Sequence, residues 1–146
     1  MKTLLLIILS IVSSYSFGQC QSFNSHTRVA QIANEINGIP PQNAIAFATW
    51  DENGNPTIIY SPRFYQLQQL TRQFVWLHEC AHLSVPTSNE IQANCVALGQ
   101  MRNAGLTYQD EMQIANWTMS AGPVGMQYGG SGHTFWALTL ECAGHR

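Results

Sequence analysis

His78, Glu79 and His82 fall within one turn and a half of a helix in the stretch Phe74-Val75-Trp76-Leu77-His78-Glu79-Cys80-Ala81-His82. Residues four apart leave a helix on the same face, about one turn from each other. Two imidazoles held that way on a rigid element can reach one zinc ion. Glu79, next to the first histidine, is placed to lean over a metal-bound water as general base. The competing reading is an ordinary polar face on a helix packed by Phe74, Trp76 and Leu77. Only 10% of residues are charged, against about a quarter in ordinary domains. Metal-type side chains clustered in so sparsely polar a chain favour the zinc site.

A catalytic zinc takes three protein ligands and keeps one position open for water. Glu90 is the candidate third ligand, in Glu90-Ile91-Gln92-Ala93-Asn94 near the start of the next helix. The connection from Val85 to Ser88 is short, so the two helices can pack face to face. Asn94 lies one turn further on the same face and can hydrogen-bond a ligating imidazole. The other reading of Glu90 is a carboxylate that only complements the helix dipole.

Around this pair of helices the sequence predicts an α+β chain, mostly helical, with a small hairpin or sheet next to the HExxH helix. Ser25 reads as the cap of a helix over residues 26–37, with Val29, Ile32, Ala33 and Ile36 at helical spacing and Gly38 as its stop. Residues 44–50 and 56–60 read as two strands joined by the turn residues 51–55. Ser61-Pro62 start a helix that passes Leu67 and Leu70, kinks near Thr71 and leads into the metal helix, residues 74–83. Ser88 caps the ligand helix, residues 89–103, which Gly105 stops; Thr107 caps another through Met119. A glycine-rich loop, residues 122–132, can border a cleft. A short helix over residues 134–142 closes the chain.

The first residues are one lysine, an apolar run from Leu4 to Val12, and then small residues at Ser16 and Gly18. They read as a secretory signal peptide, residues 1–18, too short to span a bilayer comfortably. A lipid anchor on Cys20 is the alternative, for which Gln19 is a poor preceding residue. Residues 19–146 are enough for a single domain. Without Lys2 the chain has five basic against eight acidic residues, so the formal charge moves from −2 to −3. With no basic patch or charge run, nucleic acid and anionic membrane are not expected partners. Four cysteines in a small exported domain favour two disulfides, with three connectivities open. Cys80 or Cys95 as a zinc ligand is the competing idea. Trp50, Trp76, Trp117 and Trp136 read as core, and Asn116-Trp117-Thr118 matches the glycosylation triplet.

His-Glu-Cys-Ala-His followed by Glu90-Ile91-Gln92-Ala93-Asn94-Cys95 resembles the gluzincin metallopeptidases, whose pattern is HExxH and then a glutamate-led segment on the next helix. It is most similar to small bacterial exported members, which also carry a strand end like Ile59-Tyr60-Ser61-Pro62. His133 and Cys142 find counterparts there, so the resemblance covers residues 58–142. Asn94 departs from the aspartate of many gluzincins. The resemblance implies a minimal zincin-like domain that hydrolyses peptide bonds with Zn2+ held by His78, His82 and Glu90, and Glu79 as general base. Its partner would be a peptide or protein substrate. An oxyanion donor is still needed; His133, framed by glycines, is the first candidate, with Tyr60 and Tyr128 as alternatives. His26 and His145 read as surface residues. A Cys95–Cys142 bridge would pin the closing helix over the site and leave Cys20 with Cys80. The rivals are a non-catalytic zinc-binding interaction module and a zinc amidase acting on cell-wall peptide. Metal binding alone does not need Glu79, which counts against the first.

Overall fold

The computed structural model describes residues 18–121 and 125–144. Residues 1–17, on which the expected leader falls, residues 122–124 of the glycine-rich loop, and His145 and Arg146 lie outside them. The elements in chain order are β1 (Gln21–Phe23), β2 (Ala30–Ile32), β3 (Asn34–Asn37), β4 (Ala46–Trp50), β5 (Pro56–Tyr60), α1 (Gln69–Ser84), α2 (Glu90–Asn103), α3 (Tyr108–Ser120) and α4 (Gly132–Ala143). Short 3-10 turns stand at Pro41–Asn43, Phe64–Gln66 and Met126–Tyr128. The fold is α+β, as the sequence predicts.

The predicted metal helix is the C-terminal part of α1, and α1 is buried on two sides. Phe74 and Leu77 pack into a helical cluster with Leu98, Met101, Ile114 and Trp136. Val75 and Leu83 pack into a second cluster with Ile58, Tyr60 and Phe64 from the sheet side. Trp76 and Trp117 touch both clusters, and Trp136 is buried. The tryptophans thus serve the core, as their size suggests. With apolar residues on both flanks, α1 has little freedom to turn about its axis, and its remaining face carries the histidines.

The hairpin forms as predicted. β4 and β5 pair antiparallel from Ala46↔Tyr60 to Trp50↔Pro56. Asp51 closes its turn, its carboxylate accepting from the backbone N–H of Asn53 and Asn55. Gly54 takes the left-handed φ of 77° that a residue with a β-carbon disfavours. β5 is central and β4 is an edge, in the order β3-β5-β4.

The helix predicted over residues 26–37 is not there. β2 pairs antiparallel with β1, and β3 pairs parallel with β5. Two causes are visible. Asn24 accepts hydrogen bonds from the backbone N–H of His26 and Thr27, which fixes a turn where the cap was expected. Of the apolar residues at helical spacing only Ala33 reaches the core, while Val29 is 63% exposed and Ile36 48%. Strand pairing suits these β-branched side chains, and Glu35 fastens β3 by accepting from Tyr60 Oη at 3.0 Å and Trp76 Nε1 at 2.9 Å.

Boundaries shift elsewhere. The helix expected from Ser61-Pro62 is only the 3-10 turn Phe64–Gln66; Leu67 and Gln68 are extended before α1 begins. Asn89, not Ser88, caps α2 by accepting from Gln92 N. Thr107 caps α3 in a reciprocal box with Asp110. Ser131 caps the closing helix, which begins two residues earlier than expected.

The cysteine pairs are Cys20–Cys80 and Cys95–Cys142. The first ties the chain start to α1 beside Glu79, and the second ties α2 to α4. A buried ion pair adds to this frame. Arg102 donates to Glu111 at 2.9 and 2.6 Å and to the carbonyls of Ala143 and Gly144, so one guanidinium joins α2, α3 and the end of α4. Arg102→Met leaves the buried Glu111 carboxylate without that guanidinium. Such a break costs roughly 3–5 kcal/mol, and urea denaturation of the variant is expected to show a loss of that size.

Candidate metal centre

α1 delivers His78 and His82 from successive turns, and α2, after the short link, delivers Glu90 in its first turn. Their ligand atoms converge. His78 Nε2 and His82 Nε2 are 3.1 Å apart, and Glu90 Oε2 lies 3.0 Å from the first and 3.4 Å from the second. Ligand atoms placed tetrahedrally at 2.0–2.1 Å around one ion are separated by roughly 3.3–3.4 Å. The triangle is close to one face of such a tetrahedron, and the group could hold a metal ion.

The other ring nitrogens decide what the Nε2 atoms can offer. His78 Nδ1 is 2.8 Å from Asn94 Oδ1, and His82 Nδ1 is 2.7 Å from the backbone carbonyl of Thr87. Both partners are acceptors, so each Nδ1 carries the hydrogen and each neutral ring turns a lone pair at Nε2 towards Glu90. Three acceptor atoms then face one another with no donor among them. A single proton can bridge one pair; a cation at the centre satisfies all three.

The electrostatics without a metal show the same convergence. Burial opposes ionisation of Glu90, but hydrogen bonds and charge from His78 and His82 outweigh it and bring its pKa from 4.5 down to about 2. Burial pulls the pKa of His82 down, and the hydrogen bonds to Glu90 and Thr87 together with the carboxylate charges more than reverse this. Glu79 is 8% exposed. Desolvation raises its pKa, against the pull of the two histidines and of a hydrogen bond from the backbone of Ala48 on edge strand β4.

Two cavities meet at this group. One of about 810 Å³ lies along β4 and the start of α2, bordered by Phe47, Trp50, His82 and Glu90. The other, about 450 Å³, is largely apolar, bordered by Ile45, Phe74, Val75, Trp117 and Phe135. His78, Glu79 and Tyr128 line both. His78, His82, Glu90, Glu79 and Asn94 are thus gathered where the sequence places them. His133 is not with them. It is exposed in the first turn of α4 and lines neither cavity. Tyr60 is buried and its hydroxyl is engaged by Glu35, which leaves Tyr128 as the tyrosine that faces the cleft. The Thr87 carbonyl escapes sequence reasoning, because a main-chain oxygen leaves no residue-type signal.

The pH dependence follows from the two shifts. Glu90 titrates lower folded than unfolded, so its contribution is complete above about 4.5 and lost as pH falls towards 2. His82 titrates higher folded than unfolded, so its contribution is present below 6.5 and lost as pH rises through the folded value. A rise of pH through the folded value of His82, which lies above its ordinary 6.5, therefore removes the proton that a metal would replace. Thermal melts are expected to show the metal-free protein losing stability from pH 6 to pH 9 and the gap to the metal-loaded protein widening over the same range. His82→Gln is expected to remove both trends.

No family model matches the chain, and neither does any curated protein or solved structure.

Proposed function

We propose that this chain is an exported zinc metallopeptidase of gluzincin type. The observation that carries the reading is the convergence of two imidazole lone pairs and a carboxylate in a cleft that Glu79 also lines. The donor set suits zinc, which takes nitrogen and carboxylate ligands in a tetrahedral arrangement with one position left for water. Bound there, zinc would supply a water acidic enough to be deprotonated near neutral pH and a Lewis acid for a carbonyl oxygen. Glu79 would serve as the base that accepts a proton from that water and as the acid that returns it to the leaving nitrogen. Its raised pKa suits both steps, since a base titrating nearer the working pH also serves as an acid. Tyr128 keeps its hydroxyl hydrogen, because burial and then the Glu90 charge raise its pKa. It can donate to an oxygen that gains charge, the role first sought in His133.

The cleft also suits a peptide. Edge strand β4 borders the larger cavity, and an extended chain can lie along such an edge. The smaller, apolar cavity adjoins Glu79 and is of a size to receive one bulky apolar side chain beside the cleaved bond. Two disulfides accord with an oxidising compartment outside the cytoplasm. Among the described residues no helix is long and apolar enough to cross a membrane.

A peptide library incubated with zinc-loaded protein tests the reading. Cleavage is expected next to large apolar residues, favoured at least about tenfold over alanine. Glu79→Gln is expected to keep its zinc and lose turnover by roughly 10²–10⁴-fold, whereas Glu90→Ala is expected to lose the zinc itself. A wild-type protein that binds one zinc and cleaves nothing would instead be a metal-binding module.

A further inference from the structure

Asn94 is 1% exposed and the hydroxyl-bearing Thr139 is 0% exposed. Asn94 lies between α1 and α4, with its Oδ1 against His78 Nδ1 and its Nδ2 donating to Thr139 Oγ1 at 3.0 Å. The Thr139 hydroxyl in turn donates to the Phe135 carbonyl one turn back, at 2.8 Å. These bonds form one directed chain from a helix carbonyl to the histidine. The single hydroxyl hydrogen of Thr139 is committed to Phe135, so towards Asn94 its oxygen can only accept. That turns the amide nitrogen to Thr139 and the amide oxygen to His78. The oxygen accepts from Nδ1, and the lone pair of the ring is left at Nε2, on the Glu90 side.

We infer that Thr139 is a positioning residue: by fixing which end of Asn94 faces His78, it selects the imidazole tautomer able to bind a metal. An aspartate would offer an acceptor at both ends and need no such guide. An asparagine can flip, and its flipped form would present N–H to Nδ1 and draw the lone pair to the wrong nitrogen. The Cys95–Cys142 bridge stands beside both members of the pair, one residue after Asn94 and three after Thr139, and holds α2 to α4 where the chain crosses. The inference rests on His78 as a metal ligand and goes beyond it to a residue that touches neither metal nor substrate.

Two readouts test it, the first without metal. In long-range ¹H–¹⁵N spectra of the metal-free wild type above pH 8, His78 is expected to carry its hydrogen on Nδ1. Thr139→Val is expected to move a measurable fraction to Nε2, and Thr139→Ser to restore the wild-type pattern. The second readout is zinc affinity by chelator competition. Thr139→Val is expected to weaken it by about tenfold to a hundredfold and Thr139→Ser to recover it. In the Asn94→Asp background Thr139→Val is expected to change it by less than about threefold. A wild-type His78 with its hydrogen on Nε2 overturns the inference whether or not any variant folds. So does a Thr139→Val cost of the same size in both backgrounds, which would mark a packing effect. If the wild type binds no zinc, the proposed function fails, and the spectra still judge the tautomer.

Discussion

Three hydrogen-bond acceptors held within 3.0–3.4 Å of one another are the constraint on which this structure turns. Left alone, such atoms repel, and water or a proton can relieve only part of the conflict. They stay together because each is held from behind. Thr87 and Asn94 hold the two imidazoles, and the capped first turn of α2 holds Glu90. A cation at their centre would satisfy all three atoms at once, and its binding would then be coupled to folding in this region.

The rest of the fold supplies rigidity to those attachments. α1 is wedged between the helical cluster and the sheet cluster, and Cys20–Cys80 ties it again beside Glu79. α2 and α4 are joined by Cys95–Cys142 and by Arg102, which reaches from α2 to the end of α4 and to Glu111 on α3. A domain of this size buries a modest core, and these crosslinks make up part of the difference. The sheet is small, yet it sets the floor of the cleft. β4 lies at the edge, and a backbone hydrogen bond from Ala48 reaches Glu79.

Much of the centre was legible because its determinants are local. His78 and His82 share a face by helical geometry alone, and a short link after α1 leaves Glu90 and Asn94 few other places to go. Thr107 and the turn residues around Asp51 likewise act over a few residues, and both form as their chemistry dictates. The segment after Ser25 misled for the opposite reason. Its 3.6-residue spacing is genuine, but Val29, Ile32 and Ile36 face solvent; β2 pairs with neighbouring β1, and the partner of β3, strand β5, lies further along the chain. Glu35 binding Tyr60 and Trp76 is a contact that no local pattern announces. His133 misled because glycines around a histidine say that it is accessible, not where it points. Thr139 did leave a trace: a lone hydroxyl in the otherwise apolar run Phe135-Trp136-Ala137-Leu138-Thr139-Leu140 needs a reason to be buried.

The most direct measurement is X-ray absorption at the zinc edge on protein purified with its disulfides formed and loaded with one equivalent of metal. Two imidazole nitrogens and carboxylate or water oxygens at about 2.0–2.1 Å, in four-fold coordination, are expected. Sulfur scattering at about 2.3 Å, or a shell with one imidazole or none, would contradict the centre described here and the function built on it.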